Sequence, residues 1–105
     1  MSVSIIENWS DILGMVQAVA VYDDLDGFDS VEVLVEQVMP VEGYPNLVAT
    51  YLEEAEQPVL FVLMPVQVVL EYAITSGVVL ECRVRRAGAD RLFVHTDTIT
   101  VHRPT

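Results

Sequence analysis

Two stretches of this chain alternate apolar and polar residues with a period of two, a rhythm that fits strands and not helices. In Val31-Glu32-Val33-Leu34-Val35-Glu36 the valines fall on one side, and Glu32, Leu34 and Glu36 on the other. In Leu80-Glu81-Cys82-Arg83-Val84-Arg85 the first, third and fifth residues are apolar, and Glu81, Arg83 and Arg85 oppose them. A helix would scatter either set around its circumference, whereas a strand gathers it on one face. Each stretch therefore predicts a strand with one side in a core and the other in water.

Further strand signals lie on either side of these two stretches. Met15 to Tyr22 and Val31 to Met39 are valine-rich, and they predict a hairpin closed by a long loop, Asp23 to Ser30, with an Asp26-Gly27 turn signal. Val59 to Met64 is short and continuously apolar, as in a central strand buried on both faces. A second hairpin, Val78 to Arg86 and Arg91 to His102, closes the chain around Ala87-Gly88-Ala89-Asp90. Within its last strand Leu92 and Val94 share a parity that Ile99 and Val101 do not, so a bulge or bend is expected at Thr96-Asp97-Thr98.

Helical signals are fewer. Ser4 and Glu7 match a capping box, and Ile5, Trp9, Ile12 and Leu13 then share a helical face ahead of Gly14. These predict a helix over 5–13, with Trp9 closing one end of the core. Pro65 can open a second, short helix in which Val66, Val69, Leu70, Ala73 and Ile74 lie together before Ser76-Gly77. Leu47 to Gln57 supports two readings. Asn46 could cap a helix there, yet Glu53, Glu54 and Glu56 would burden its negative end, and Val48, Thr50 and Tyr51 tolerate a strand.

These elements predict one mainly β domain of 105 residues, with a helical extension at 1–14 and a β-rich body at 15–103. Gly14-Met15-Val16 opening a first strand, a helix running into Ser76-Gly77-Val78-Val79, and a closing strand pair together resemble the OB-fold over roughly residues 12–103. The resemblance implies a small five-stranded barrel with a short helix before its last hairpin. The alternative is an open antiparallel sheet with helices on one face.

Charge gives the functional lead. Residues 1–78 carry 13 acids and no cation, while every Arg and His lies in the last quarter, and the chain has no lysine. Abundant acid without lysine also fits a GC-rich genome or a salt-rich cytoplasm, which would make the charge environmental. The asymmetry singles out Arg83, Arg85, Arg86 and Arg91, with Phe93 and His95 among them, as a partner-binding hairpin. It predicts a non-catalytic module that binds an acidic protein surface or a second copy of itself, with Leu34 and Phe93 as apolar anchors. The alternative is OB-type binding of single-stranded nucleic acid, with Phe93 or Tyr22 stacking on bases. The net charge of −11 and the acidic first loop oppose that alternative. A third account is local neutralisation, in which Asp24 or Asp26 pairs with Arg86 or Arg91.

Several chemistries lack their residues. The chain has no glycine-rich phosphate loop, no lysine for a Schiff base, and too few Cys and His for a structural zinc site. With Gly27 at the sixth position of an EF-hand loop, Tyr22 and Val33 would occupy the first and twelfth, where ligands are required. His95 and Asp97 are spaced like a catalytic pair, and Cys82 with His95 like an activated thiol, but Cys82 falls on the inward face. No enzyme, cofactor or metal site is expected. The longest apolar run is interrupted by Pro65 and Gln67, short of the ~20 residues of a membrane span, and no basic leader precedes it. A cytoplasmic, membrane-free protein is the expectation.

Overall fold

The computed structural model describes residues 7–88 and 91–103. The elements run β1 (Ser10–Val21), β2 (Phe28–Pro40), α1 (Leu47–Glu54), β3 (Val59–Pro65), α2 (Val66–Glu71), β4 (Val79–Ala87), β5 (Arg91–Val94), a 3₁₀ turn (Thr96–Thr98) and β6 (Thr100–His102). All six strands belong to one sheet. β1 pairs antiparallel with β2 and β4, β2 with β3, and β4 with β5 and β6, while β3 and β5 touch in parallel over two residue pairs. Following the pairs from β1 through β2, β3, β5 and β4 leads back to β1, so the sheet closes partly into a ring.

The ring interior is the core. Ile12 and Val16 of β1, Val31, Val33 and Val35 of β2, Leu60, Val62 and Met64 of β3, and Leu80, Cys82 and Val84 of β4 all point into it. The predicted alternation holds in both diagnostic stretches. Gly14 lies where β1 and β2 shift register, and its lack of a side chain is required there. A Cβ would stand 2.4 Å from the Leu34 carbonyl oxygen, far inside contact distance. A second shift, between Val16 and Ala18, adds a bulge that twists the distal half of the β1–β2 ribbon.

The predicted break in the final strand falls on the 3₁₀ turn. The Thr98 hydroxyl oxygen accepts from the Arg83 N–H at 2.9 Å and donates to the His95 carbonyl at 2.7 Å. That hydroxyl satisfies the β4 edge where β5 gives way to β6. The turn residues Ala89 and Asp90, like Ser4 and Ile5 of the predicted capping box, lie outside the described residues.

Three expectations need correction. The helix over 5–13 does not form where the chain is described, because β1 begins at Ser10. Between β2 and β4 this segment pairs along both edges, and Ser10, Ile12, Gly14 and Val16 show an inward period of two that fits the ring. Gly14 is thus a close-approach glycine inside a strand and not a helix stop. Residues 47–57, which supported two readings, form the helix α1 over Leu47–Glu54 and leave it at Ala55. The Asn46 side chain accepts the Ala49 N–H, and Val48 is fully buried beneath the turn. Ser10 Oγ donates to the same Asn46 side chain and so ties α1 to the start of β1. Finally, the sequence groups Leu70 with Val69 on one helical face, yet Leu70 is 74% exposed while Val69 is buried, because one step along a helix of 3.6 residues per turn carries the side chain round to solvent. Phe61 likewise breaks the two-sided burial expected of β3, standing 49% exposed on its outer face.

Candidate functional site: a cation and aromatic row on the outer face

Cross-strand register decides what surrounds each outward residue. Leu63 of β3 pairs with Phe93 of β5, and Phe93 with Arg85 of β4. Partners in register share a face, so these three side chains form one row across the outside of the ring. The row is extended at both ends. Phe28 meets Phe93 edge-to-face with centroids 5.8 Å apart, and Arg85 lies over the Trp9 ring at 5.9 Å. His95 packs on Trp9 at 5.3 Å, tilted by 53°. Two contact groups, Phe28 with Phe93 and Arg85 with Trp9 and His95, therefore lie side by side, joined by the cross-strand register of Phe93 with Arg85.

Trp9 reaches this position through Asn8. The buried Asn8 side-chain amide accepts the Arg86 N–H and donates to the Arg86 carbonyl, each at 2.8 Å. In effect it adds one rung to the β1–β4 ladder before β1 begins. Trp9 is thereby held opposite Arg85 on the outer face. It does not close the end of the core as a helical Trp9 was expected to do.

The four predicted arginines part company. Arg83 is occupied: its Nε and Nη2 donate to the two carboxylate oxygens of Asp11 at 2.9 and 3.3 Å, a bidentate pair about one-third exposed. That bond is the chief reason its guanidinium is held protonated more firmly than usual. A shallow cleft of about 280 Å³ beside it is lined by Asp11, Met39, Glu81, Arg83, Thr98 and Thr100. The cation in that cleft already has its anion. Arg86 turns to the other face, where its guanidinium lies 5.4 Å from the Tyr51 ring of α1. Arg91 is exposed at the start of β5.

Arg85 differs from all of these. It is half-buried against Trp9, and its Nε is shut off from solvent with no hydrogen-bond partner. Among the described residues Arg83 forms an ion pair with Asp11, and His102 Nε2 lies 3.1 Å from a Glu81 carboxylate oxygen. Local neutralisation of Arg91 by Asp24 or Asp26 is not among these contacts. The site residues brought together are thus Arg85, Phe93 and His95. Trp9 and Phe28 join them unforeseen, while Arg86 leaves the group. Leu34 lies elsewhere, in a row with Met15 and Val59 on β1 and β3.

Other candidate chemistries can be placed. His95 Nδ1 accepts the Asp97 backbone N–H at 3.3 Å, so the imidazole caps the 3₁₀ turn. The Cys82 thiol is buried and pushed up to about 12, first by loss of solvation and then by the Asp11 charge. That is the reverse of an activated thiolate. Among the described residues no three His, Cys, Asp or Glu side chains gather as metal ligands would, and no helix is long and apolar enough to cross a membrane. Comparison with known proteins gives no match to a family model, to a curated protein or to a solved structure.

Proposed function

We propose that this chain is a non-catalytic protein-binding module built on an OB-like ring, and that it takes a carboxylate-bearing segment of another protein against Arg85. The strand order β1-β2-β3-β5-β4-β1, the parallel contact of β3 with β5, and α2 between β3 and β4 support the OB plan. The observation that carries the functional reading is Arg85 itself. A guanidinium laid on an indole, with one N–H buried and unsatisfied, lacks the planar acceptor that its fork geometry suits. A carboxylate delivered by a partner meets the open side of the half-buried guanidinium, and reaches the closed-off Nε once the side chain shifts on the indole. Trp9, Phe93 and Phe28 offer the rigid apolar surface on which such a contact gains affinity. The net charge of −11 opposes the approach of acidic partners and leaves the few cationic positions, Arg85 among them, as the places that accept one.

A second reading, single-stranded nucleic acid, draws on the same aromatic row, since bases stack on such rings and phosphates meet arginine. It ranks lower because Phe28, at one end of the row, adjoins the acidic loop Asp23 to Asp29.

Trp9 is the chain's single tryptophan and lies in the site, so its emission reports directly on occupancy. Titration with a peptide of alternating Glu and Phe is expected to shift Trp9 emission, to weaken with added salt, and to fail in Arg85→Met. Titration with oligo-dT is expected to give no change. Tighter binding of oligo-dT, lost in Arg85→Met, would transfer the site to nucleic acid. Silence with both probes removes the proposal.

A further inference from the structure

The distal half of β1 has an open edge. From Met15 back to Ser10 β1 is covered by β4, and at Val16 the last bonds on that side are made, Val16 N–H to the Val78 carbonyl and Gly77 N–H to the Val16 carbonyl. Beyond it, β1 pairs only with β2. The Tyr22 N–H donates to the Phe28 carbonyl, so alternation turns the N–H and C=O groups of Val21 and Val19 outward, away from β2. Among the described residues no strand pairs there. Open edges are usually protected by charge, proline or a covering element. Here Ile12 to Tyr22 carries no charge and no proline, in a chain of net charge −11. Val21 is 76% exposed.

We infer that this edge is a pairing surface for a second copy of the chain, β1 against β1 in antiparallel register about a two-fold axis at Ala20. The segment is complementary to itself in that register. Val19 of each copy faces Val21 of the other, and their outward backbone groups exchange four hydrogen bonds. The four valines fall on one face, the side on which Val19 already packs against the core, so the cluster continues the ring interior across the axis. On the opposite face Tyr22 meets Ala18 of the other copy, a large residue over a small one, and the two Ala20 residues let the strands approach closely. Charge selects this register as well. Pairing ends at Tyr22 opposite Ala18, short of the bulge at Gln17 and of Val16, whose edge Gly77 and Val78 already fill, so the acidic loops lie at opposite ends of the paired strands. This surface is separate from the Arg85 row, and the two stand or fall independently.

The test is mass in solution, by sedimentation equilibrium from micromolar to millimolar protein at low and high salt. A reversible dimer is expected. It should tighten with salt, because two chains of like charge approach through an uncharged seam. Val19→Pro removes an outward N–H while sparing the bonds to β2, and Val21→Lys places a charge in the valine cluster. Each is expected to weaken the dimer at least tenfold, and Arg85→Met to leave it unchanged. Should Val19→Pro disturb the ribbon, Val21→Lys decides, since that side chain is already in solvent. A wild-type chain that stays monomeric throughout overturns the inference. So does a dimer that survives Val21→Lys.

Discussion

Strands β2 and β4 carry the same alternation, and the ring treats their inward residues alike and their outward residues differently. Val31, Val33 and Val35 on one, and Leu80, Cys82 and Val84 on the other, are all buried. Outward, Glu36 of β2 stands in solvent and Leu34 is 40% exposed. Outward on β4, Arg83 is clasped by Asp11 and Arg85 lies on Trp9. Inward environment thus follows from a residue's own parity, which is local. Outward environment follows from what the neighbouring strand brings alongside, which is not. A function carried on the outer face depends on the second kind of information.

The comparison breaks most plainly at its inward positions. Leu80→Ala removes a fully buried side chain and should cost about 2–5 kcal/mol. Leu34→Ala, on the outer face of β2, should cost under about 1 kcal/mol. Urea unfolding of both variants measures the gap. Equal losses would mean that the two faces of the ring are not distinguished as described.

The next effect belongs to the residue that gives β4 its unusual outer surface. Asn8→Ala leaves the Arg86 N–H and carbonyl without the amide that pairs them, and Asn8 is buried. A loss of about 2 kcal/mol is expected. Trp9 should also become more mobile, seen as lower fluorescence anisotropy. A normal anisotropy in a destabilised Asn8→Ala would show that Trp9 is held by its ring contacts alone.

That residue also shows where sequence reading reached its limit. The strands, the break at Thr96 to Thr98, the inward Cys82 and the helix opened by Pro65 were legible because each depends on parity or on a residue's own backbone. The start of β1 was not. Ile5, Trp9, Ile12 and Leu13 fit a helical face, and the period of two through Ser10, Ile12, Gly14 and Val16 overlaps the same stretch, sharing Ile12. Pairing with both β2 and β4 decides between them, and neither strand is near in sequence. The candidate site suffered likewise. Arg83, Arg85 and Arg86 look equivalent in the chain, but Asp11, Trp9 and Tyr51 separate them, and all three come from distant segments. An Asn-Trp pair preceding a strand was the available signal for the outer row, and it is a weak one.

Inward Cys82 adds a pH dependence of its own. Its folded thiol is raised from 9.0 to about 12, so below pH 9 the proton stays on in both states and the full contribution to stability is present. As pH rises from 9 towards 12 the unfolded chain gives up that proton and the folded one keeps it. Stability should therefore fall through that window, by roughly 1 kcal/mol per pH unit. The difference between wild type and Cys82→Ala isolates this residue from the tyrosines. A difference that stays flat to pH 11 would show that the thiol is open to solvent.

The smallest expected change in stability is the most informative about the outer face. Stacking of Arg85 on Trp9 is worth about 0.5–1 kcal/mol, whereas a buried, unsatisfied N–H costs about 1–3. The two oppose each other in the same side chain. Arg85→Met keeps the apolar stem on the indole and removes the orphan donor, so the free protein should be unchanged or slightly more stable. The same substitution should abolish the Trp9 response to acidic peptide. A residue that serves the fold cannot be lost without a penalty in the free protein, while one held for a partner can. If thermal unfolding of Arg85→Met instead falls by several degrees, the guanidinium belongs to the architecture of β4, and the outer row ceases to differ in kind from the clasped Arg83 beside it.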